Sequence, residues 1–120
     1  MILLIEDDVI SQKVLKLILE YLGKCNVEQA YDLQSALTHR EKIYDIIFTD
    51  LHLPDGSAIT FIEQYHKKHP VIPIVVMSSY IDDEEKIFKA GAIEIVRKPA
   101  SIELIKRLLQ AFLPSSTRNR

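Results

Sequence analysis

The chain has 120 residues, of which 48% are apolar and 27% are charged, and its formal net charge is −2. These values are typical of one globular domain with its own core, and they exclude the basic surface of a nucleic-acid-binding domain and the long apolar run of a membrane span. The single cysteine, Cys25, excludes an internal disulfide, and an apolar run that begins at Ile2 leaves no room for a signal peptide, so we expect a cytoplasmic protein.

The first strand and helix are predicted within the first 23 residues. Residues 2–5 (ILLI) are continuously apolar, as expected of a strand that is covered on both faces. A helical period follows over residues 9–23, and Gly23 is the predicted C-terminal stop. The apolar face of this helix is predicted to consist of Val14, Leu17, Ile18, Tyr21 and Leu22.

Four more strand–helix pairs are predicted along the rest of the chain. Ser57 and Ser101 are the predicted N-caps of the third and fifth helices, and Gly91 is predicted to end the fourth. The second helix is predicted at 33–42. The strands are predicted at 25–31 (CNVEQAY), 45–49 (DIIFT), 73–77 (PIVVM) and 92–96 (AIEIV).

The alternation of five strands and five helices with short connections predicts an α/β fold. Such a chain forms a parallel sheet with helices on both faces. If its strand order is 2-1-3-4-5, the first and third strands are neighbours where the order reverses. One domain is expected to cover residues 1–113. Residues 114–120 are expected to be a tail or the start of a linker.

Charged and hydroxyl side chains directly follow four of the five predicted strands. In open parallel sheets, ligands bind outside the carboxyl ends of the strands, where the strand order reverses. Side chains in these positions are therefore predicted to converge. They are Glu6, Asp7 and Asp8 after the first strand, Asp50 after the third, Ser78 and Ser79 after the fourth, and Lys98 after the fifth.

The predicted cluster indicates a phosphoryl-accepting magnesium site. Crowded carboxylates repel one another unless they keep protons or a cation lies among them, and oxygen ligands favour Mg²⁺. Lys98 adds a positive charge and Ser78 a hydroxyl donor, which together suit a phosphoryl group attached to Asp50. Taken alone, Asp8 is explained equally well as a helix N-cap, and Ser78 and Lys98 as turn residues. Their position at one end of one sheet favours a joint site.

Four motifs, in this order and spacing, resemble a response-regulator receiver domain of two-component signal transduction. They are ILLIEDD (2–8), DIIFTDLHLPDG (45–56), PIVVMSS (73–79) and AGAIEIVRKP (90–99). The resemblance covers essentially the whole chain and implies a flavodoxin-like fold. It implies a phosphoacceptor module with Mg²⁺ as cofactor, whose only chemistry is self-catalysed phosphotransfer to Asp50 and autodephosphorylation. The implied donor is a phosphohistidine on a sensor histidine kinase or a histidine phosphotransfer domain.

The resemblance also implies a ligand set for the metal. Asp50 is the implied phosphoacceptor and a metal ligand. Asp8 is the implied direct Mg²⁺ ligand, Asp7 acts through water, and the backbone carbonyl of His52 is the further protein ligand. The side chains of the four histidines, His39, His52, His66 and His69, have no metal-ligand spacing and are not predicted to bind a metal.

The resemblance assigns the phosphoryl group its own partners. Ser78, with Ser79 beside it, is the implied switch hydroxyl that turns toward the phosphoryl oxygens, and Lys98 is the lysine that pairs with them. A cis peptide bond is predicted between Lys98 and Pro99, because a tight turn that aims the lysine inward can select the cis form.

Three residues depart from the family pattern, and one of them bears on the switch. Ala58 and Ala100 replace a common glycine and a common aromatic residue, whereas Ile95 stands where the family usually has its aromatic switch residue. Ile95 is stiff at χ1 and has no ring that can flip. We therefore predict that residues 78–85 and the fourth helix carry the change, with Tyr80 as a substitute aromatic. Tyr80 and His52 are predicted to set the lifetime of the phosphoryl group.

The expected output is a change of the surface over the fourth helix, fifth strand and fifth helix. We expect a monomer or a weak phosphorylation-dependent dimer, with no direct contact to nucleic acid or membrane. The resemblance leaves open whether a kinase or effector domain is covalently linked outside this chain. The alternatives are a Mg²⁺-dependent phosphatase with an aspartyl nucleophile, which lacks support because His52 replaces its second aspartate, and a scaffold that is never phosphorylated.

Overall fold

Five parallel strands form the central sheet of the protein. The structure, a computed structural model, describes residues 1–113, so the predicted tail at 114–120 lies outside the described residues. The strands are β1 Ile2–Ile5, β2 Val27–Ala30, β3 Ile46–Thr49, β4 His52–Leu53, β5 Gly56–Ser57, β6 Ile74–Ser78 and β7 Glu94–Arg97. The sheet order is β2-β1-β3-β6-β7, which confirms the predicted order of the five main strands, while β4 and β5 form a separate antiparallel pair.

Helices cover both faces of this sheet. They are α1 Val9–Gly23, α2 Leu33–Leu37, α3 Ile59–Lys68, α4 Glu84–Ala90 and α5 Ile102–Phe112. Alternate residues of one strand enter different cores: Ile47 packs with residues of α2, α3 and α4, whereas Phe48 packs with residues of α1 and α5. Full burial of one such side chain contributes about 1.5–3 kcal/mol. The apolar runs of β1, β3 and β6 are continuous because both faces of these three central strands are buried.

The predicted apolar face of α1 is partly wrong. Val14, Leu17 and Tyr21 are exposed, and Tyr21 has 82% of its surface in contact with solvent. The side that faces the core carries Gln12 and Leu19, which are buried, and the half-buried Leu15, Ile18 and Leu22. The helix therefore has apolar residues on two sides, and only its orientation against the sheet decides which side is buried.

Two predicted helix ends also differ from the structure. Helix α1 continues through Gly23, and Lys24 adopts the left-handed C-cap conformation with φ 52°. A Cβ on Gly23 would lie 3.4 Å from side-chain atoms of Ile2 and Leu113, which is van der Waals contact, so the end of α1 packs against β1 and the end of α5. The N-cap of α3 is Ala58 rather than Ser57, although the Ser57 hydroxyl accepts a hydrogen bond from the Ile59 N–H at 3.2 Å.

Other predicted boundaries are confirmed. Gly91 is the C-cap of α4 with φ 127°, and Ser101 caps α5 by accepting a hydrogen bond from the Leu104 N–H. Helix α2 is shorter than predicted. The carboxylate of Asp55 accepts hydrogen bonds from the Leu33 and Gln34 N–H groups at its start. None of the helices described over residues 1–113 combines the length and the apolar character that a bilayer crossing needs.

Candidate functional site

Asp50 lies at the carboxyl end of β3, beside the end of β1. Its backbone N–H donates to the carbonyl of Ile5 at 2.8 Å, which carries the sheet pairing one residue beyond β3. One carboxylate oxygen, Oδ1, accepts from the Leu51 N–H at 2.7 Å, and the other, Oδ2, accepts from the Lys98 ammonium at 3.0 Å. The side chain is 14% exposed, so it is held at the core edge while one side stays open to solvent.

Lys98 joins the ends of β1, β3 and β7. Its ammonium donates to Glu6 Oε1 as well as to Asp50. Its backbone N–H donates to the carbonyl of Ser78 at 3.0 Å, which fixes the lysine next to the last residue of β6. The peptide bond between Lys98 and Pro99 is cis, as predicted.

Burial and ion pairing perturb the two buried charges of this group. Burial raises the pKa of the Glu6 carboxyl, and the hydrogen bond from Lys98 offsets this effect only in part. Burial by itself would lower the pKa of Lys98, but its hydrogen bonds to Glu6 and Asp50 outweigh that effect and raise it. Lys98 therefore stays protonated, and this ammonium holds two carboxylates together.

Three carboxylates form a group that fits a hard cation. One ligand oxygen from each of Glu6, Asp7 and Asp50 lies within 4.8 Å of the others. Glu6 is buried, Asp50 is half-buried and Asp7 is exposed, so the group opens to solvent on the Asp7 side. Because Mg²⁺ is held by one or two carboxylates and keeps several waters, a group of this composition and openness suits it.

Asp8 does not belong to this carboxylate group. Its Oδ2 accepts a hydrogen bond from the Ser11 N–H at 2.8 Å, so it is the N-cap of α1. That hydrogen bond lowers the pKa of the Asp8 carboxyl. The geometry thus differs from the sequence prediction, which gave Asp8 the direct metal contact. The structure places Glu6 and Asp7 at the position predicted for Asp7 and Asp8.

Sequence reasoning missed the place of Glu6 in this carboxylate group, although the chain carries a signal for it. Asp8 lies three residues before Ser11 at the start of a helical period, which is the spacing of an N-cap side chain and the N–H that it accepts. The Asp8 carboxylate is engaged at the start of α1, and the structure groups Glu6 and Asp7 with Asp50 instead.

Ser78 ends β6 and is 1% exposed. Its hydroxyl donates to the carbonyl of Tyr80 at 3.0 Å, and the same carbonyl lies 3.2 Å from His52 Nε2. The rings of His52 and Tyr80 lie 5.8 Å apart. Ser79 is exposed and lines a cleft together with Lys98. Ile95, two residues into β7, is half-buried against the core that includes α3 and α4.

An apolar stripe on α1 lies next to the site. The stripe consists of Ile10, Val14, Leu17 and Tyr21, all of which are exposed and separated by three or four residues along the helix. Ile10 and Val14 also line the cleft of about 480 Å³ that reaches Glu6 and Lys98. Contiguous apolar surface of this kind is characteristic of protein–protein contact sites.

Comparison with known proteins gives consistent matches over nearly the whole chain. Residues 2–110 match the family model of the response regulator receiver domain. The chain is 30% identical over 115 residues to the transcriptional regulatory protein ZraR of Salmonella typhimurium, which covers 93% of this chain and 26% of ZraR. A CheY-like receiver domain protein from Methanospirillum hungatei superposes with a TM-score of 0.83 at 27% identity, covering 92% of this chain and 91% of that one.

The structure of another receiver domain contains a metal. It belongs to a sensor histidine kinase of Pseudomonas aeruginosa and has a magnesium ion coordinated in its active-site cleft. Its TM-score is 0.82 at 27% identity, with coverage of 92% of this chain and 94% of that one. The present chain therefore belongs to the response regulator receiver domain family. It spans about a quarter of the length of ZraR.

Proposed function

We propose that this protein accepts a phosphoryl group on Asp50 from a phosphohistidine and thereby switches a protein-interaction surface. One observation carries the proposal: Asp50 lies partly exposed at the carboxyl edge of the sheet, paired with Lys98 and grouped with Glu6 and Asp7. Glu6 shares this lysine and these neighbours, but its side chain is only 2% exposed, whereas that of Asp50 is 14% exposed and open to a donor. Asp7 and Asp50, with the His52 carbonyl, are the proposed direct ligands of Mg²⁺, and Glu6 acts through water.

The proposed reaction is a phosphoryl transfer between side chains. A carboxylate oxygen of Asp50 attacks phosphorus, the P–O bond forms as the P–N bond of the donor breaks, and the electron pair of that bond stays on the imidazole nitrogen. Bound Mg²⁺ neutralises charge that develops on the phosphoryl oxygens. Lys98, already 3.0 Å from Asp50 Oδ2, can move its hydrogen bond to a phosphoryl oxygen with little displacement.

Ser78 is the proposed sensor of the phosphoryl group. Its backbone is fixed in β6, and its hydroxyl has one hydrogen to donate. Rotation about χ1 moves that hydrogen from the Tyr80 carbonyl toward the phosphoryl oxygens. The segment 79–83 loses a contact when this happens, and α4 begins directly after it. The proposed output surface consists of α4, β7 and α5. The protein is proposed to act as a monomer or a weak phosphorylation-dependent dimer.

The apolar stripe on α1 is the proposed contact surface for the phosphohistidine donor. It flanks the cleft that leads to Lys98, so a partner seated on it reaches the site without crossing another element. Leu17 and Tyr21 are 67% and 82% exposed, which leaves most of their apolar surface free to be buried by a partner.

One experiment tests the function against its alternatives. The protein is incubated with acetyl phosphate and Mg²⁺, and its intact mass is measured over time. A single phosphoryl adduct that maps to Asp50 supports the proposal. Rapid hydrolysis of phosphate esters without an adduct indicates a phosphatase, and neither adduct nor hydrolysis indicates a scaffold; both outcomes contradict it.

A further inference from the structure

The carbonyl oxygen of Tyr80 accepts hydrogen bonds from two side chains. The Ser78 hydroxyl lies 3.0 Å from it and His52 Nε2 lies 3.2 Å from it. A carbonyl has two lone pairs, so both are used. Because a carbonyl cannot donate, the Nε2 atom of His52 carries the hydrogen in this contact.

Ser78 must give up this carbonyl when it turns toward a phosphoryl group. A hydroxyl has one hydrogen, and the Ser78 backbone cannot follow because its carbonyl accepts from the Lys98 N–H at 3.0 Å. The turn also weakens the 3.4 Å contact in which the Tyr80 N–H donates to Ser78 Oγ. The free energy of the switched state therefore depends on what else holds the Tyr80 peptide group.

His52 is placed to hold that group throughout. Its backbone lies in β4, which pairs with β5 through Ser57, so its position does not depend on Ser78. Its ring also contacts the Tyr80 ring at a centroid distance of 5.8 Å. The link joins the acceptor loop directly to the segment that follows β6.

We propose that His52 is a positioning residue for the Ser78 switch: its Nε2–H keeps the Tyr80 carbonyl paired after the Ser78 hydroxyl leaves. This inference rests on the proposed phosphoacceptor function. It supplies a coupling between the acceptor loop and the switch segment in a chain where Ile95 has no ring to move. Loss of the His52 donor then penalises the switched state more than the resting state, in which Ser78 still pairs with the carbonyl.

The test uses beryllium fluoride as a stable mimic of the phosphoryl group on Asp50. Its apparent affinity is measured by NMR at a Mg²⁺ concentration that saturates each variant, as determined by a separate titration. His52→Leu removes the donor but keeps apolar contact with the Tyr80 ring, whereas His52→Gln keeps an N–H donor at a similar reach. Ser78→Ala and the double variant Ser78→Ala/His52→Leu complete a cycle that isolates the coupling.

We expect His52→Leu to weaken beryllium fluoride binding roughly 2- to 12-fold, the range that one net hydrogen bond corresponds to. His52→Gln should bind nearly as tightly as the unchanged protein. In the Ser78→Ala background, His52→Leu should have no further effect, because no hydroxyl remains to leave the carbonyl. A general loss of structure does not produce this dependence on Ser78.

Two outcomes overturn the inference while leaving the proposed function intact. One is equal beryllium fluoride affinity for His52→Leu and the unchanged protein. The other is that His52→Leu weakens the affinity as much in the Ser78→Ala background as in the unchanged protein. His69→Leu is the matched control, because His69 Nε2 lies 3.0 Å from the carbonyl of Arg40 at the other end of the sheet, and its affinity should not change. Failure of the unchanged protein itself to bind beryllium fluoride with Mg²⁺ overturns the proposed function and the inference together.

Discussion

The two ends of the sheet carry similar polar side chains, but their charges are balanced differently. At the carboxyl edge, the group of Glu6, Asp7 and Asp50 has Lys98 as its ammonium partner. Three carboxylates thus share one positive charge, and two of them are buried or half-buried. Because the carboxylates outnumber the ammonium groups, this group could hold a cation.

At the amino edge, a hydrogen-bonded network pairs the acid Glu28 with its own donors. The carboxylate of Glu28 accepts from the Lys42 ammonium and from the Tyr44 hydroxyl, both at 2.5 Å. The Tyr65 hydroxyl accepts from the Tyr44 N–H and donates to the carbonyl of Lys42 at 2.8 Å. Here acids and donors match, so the network stabilises the fold and needs no ligand.

The pKa shifts separate the two edges. Burial raises the pKa of Glu6 at the carboxyl edge, whereas hydrogen bonds from Lys42 and Tyr44 lower the pKa of Glu28 at the amino edge. When burial raises the pKa of a carboxylate more than its hydrogen bonds lower it, the group is typical of a site that binds a cation. When hydrogen bonds outweigh burial, the carboxylate stabilises the fold.

Asp50→Asn should produce the largest difference between the edges. We expect no phosphoryl adduct from acetyl phosphate and Mg²⁺, because an amide is not a nucleophile. The intact mass of the protein shows whether the adduct forms. The free energy of unfolding without Mg²⁺ should not fall, because the change removes one of three crowded carboxylates. Asp45→Asn, at the amino edge, is the control and should keep the full adduct. An undiminished adduct on Asp50→Asn, mapped to another residue, contradicts the site assignment.

Magnesium binding should depend on Asp7 far more than on Asp8. Asp7→Ala removes a proposed ligand and should weaken Mg²⁺ binding about tenfold or more, as measured by calorimetric titration. Asp8→Ala removes the N-cap of α1 and should lower thermal stability while it leaves the affinity nearly unchanged. Equal losses of affinity in the two variants would show that the acidic group seen in the structure is not the one that binds the metal.

The α1 stripe should matter only when the donor is a protein. Leu17→Glu should slow transfer from a phosphorylated histidine phosphotransfer domain roughly tenfold, because a charge replaces an apolar contact. Transfer from acetyl phosphate should be unchanged, since that donor needs no docking surface. Val71→Glu is the matched control: Val71 is 90% exposed but lies at the amino edge, and its change should affect neither rate. If Leu17→Glu slows transfer equally from both donors, the substitution acts on the phosphorylation site itself, and the proposed docking role of the stripe is wrong.

Tyr44→Phe should destabilise the fold and leave phosphorylation untouched. It removes the hydroxyl that donates to Glu28, and we expect a loss of about 1–2 kcal/mol in the free energy of unfolding by urea denaturation. Acetyl phosphate should still form the full adduct. If Tyr44→Phe is folded but forms no adduct, the amino edge contributes to phosphorylation as well as to stability, which contradicts this account.

Tyr44→Phe should also make the free energy of unfolding depend less on pH at acid pH. The folded-state pKa of Glu28 is depressed, so its contribution is present above the ordinary glutamate value of 4.5 and is lost as pH falls through the folded-state pKa. Tyr44→Phe removes part of that depression. The stability difference between the two proteins should therefore shrink as pH falls below 4.5. A difference that is constant or grows toward low pH contradicts this account.

Tyr80→Ala should have the smallest effect, a few-fold faster loss of the phosphoryl group. The exposed ring lies beside His52, and we expect it to shield the phosphoryl group from water. The NMR shift changes caused by phosphorylation should also weaken. Ile95→Ala should mainly lower packing stability by about 1–2 kcal/mol, because the side chain is half-buried. If Tyr80→Ala changes neither lifetime nor shifts while Ile95→Ala removes the shift changes, Ile95 is the switch residue.

The sequence by itself determined the five main strands and the edge at which the polar residues meet. These features follow from local patterns, because a continuous apolar run is a strand with two covered faces and a residue after it lies at the sheet edge. The motif set identified the family for the same reason. Caps such as Ser101 and Gly91 were predicted because one side chain or one φ angle suffices for each.

Only the tertiary structure decided which acids face the site. Glu6, Asp7 and Asp8 are adjacent in the chain, and although the spacing of Asp8 and Ser11 indicates an N-cap, only the folded chain places Glu6 and Asp7 beside Asp50. The buried side of α1 was likewise undetermined, because the helix has apolar residues on two faces and the sheet covers one. The shared contact at the Tyr80 carbonyl joins β4 to the end of β6, so it depends on packing between elements that are distant in the sequence.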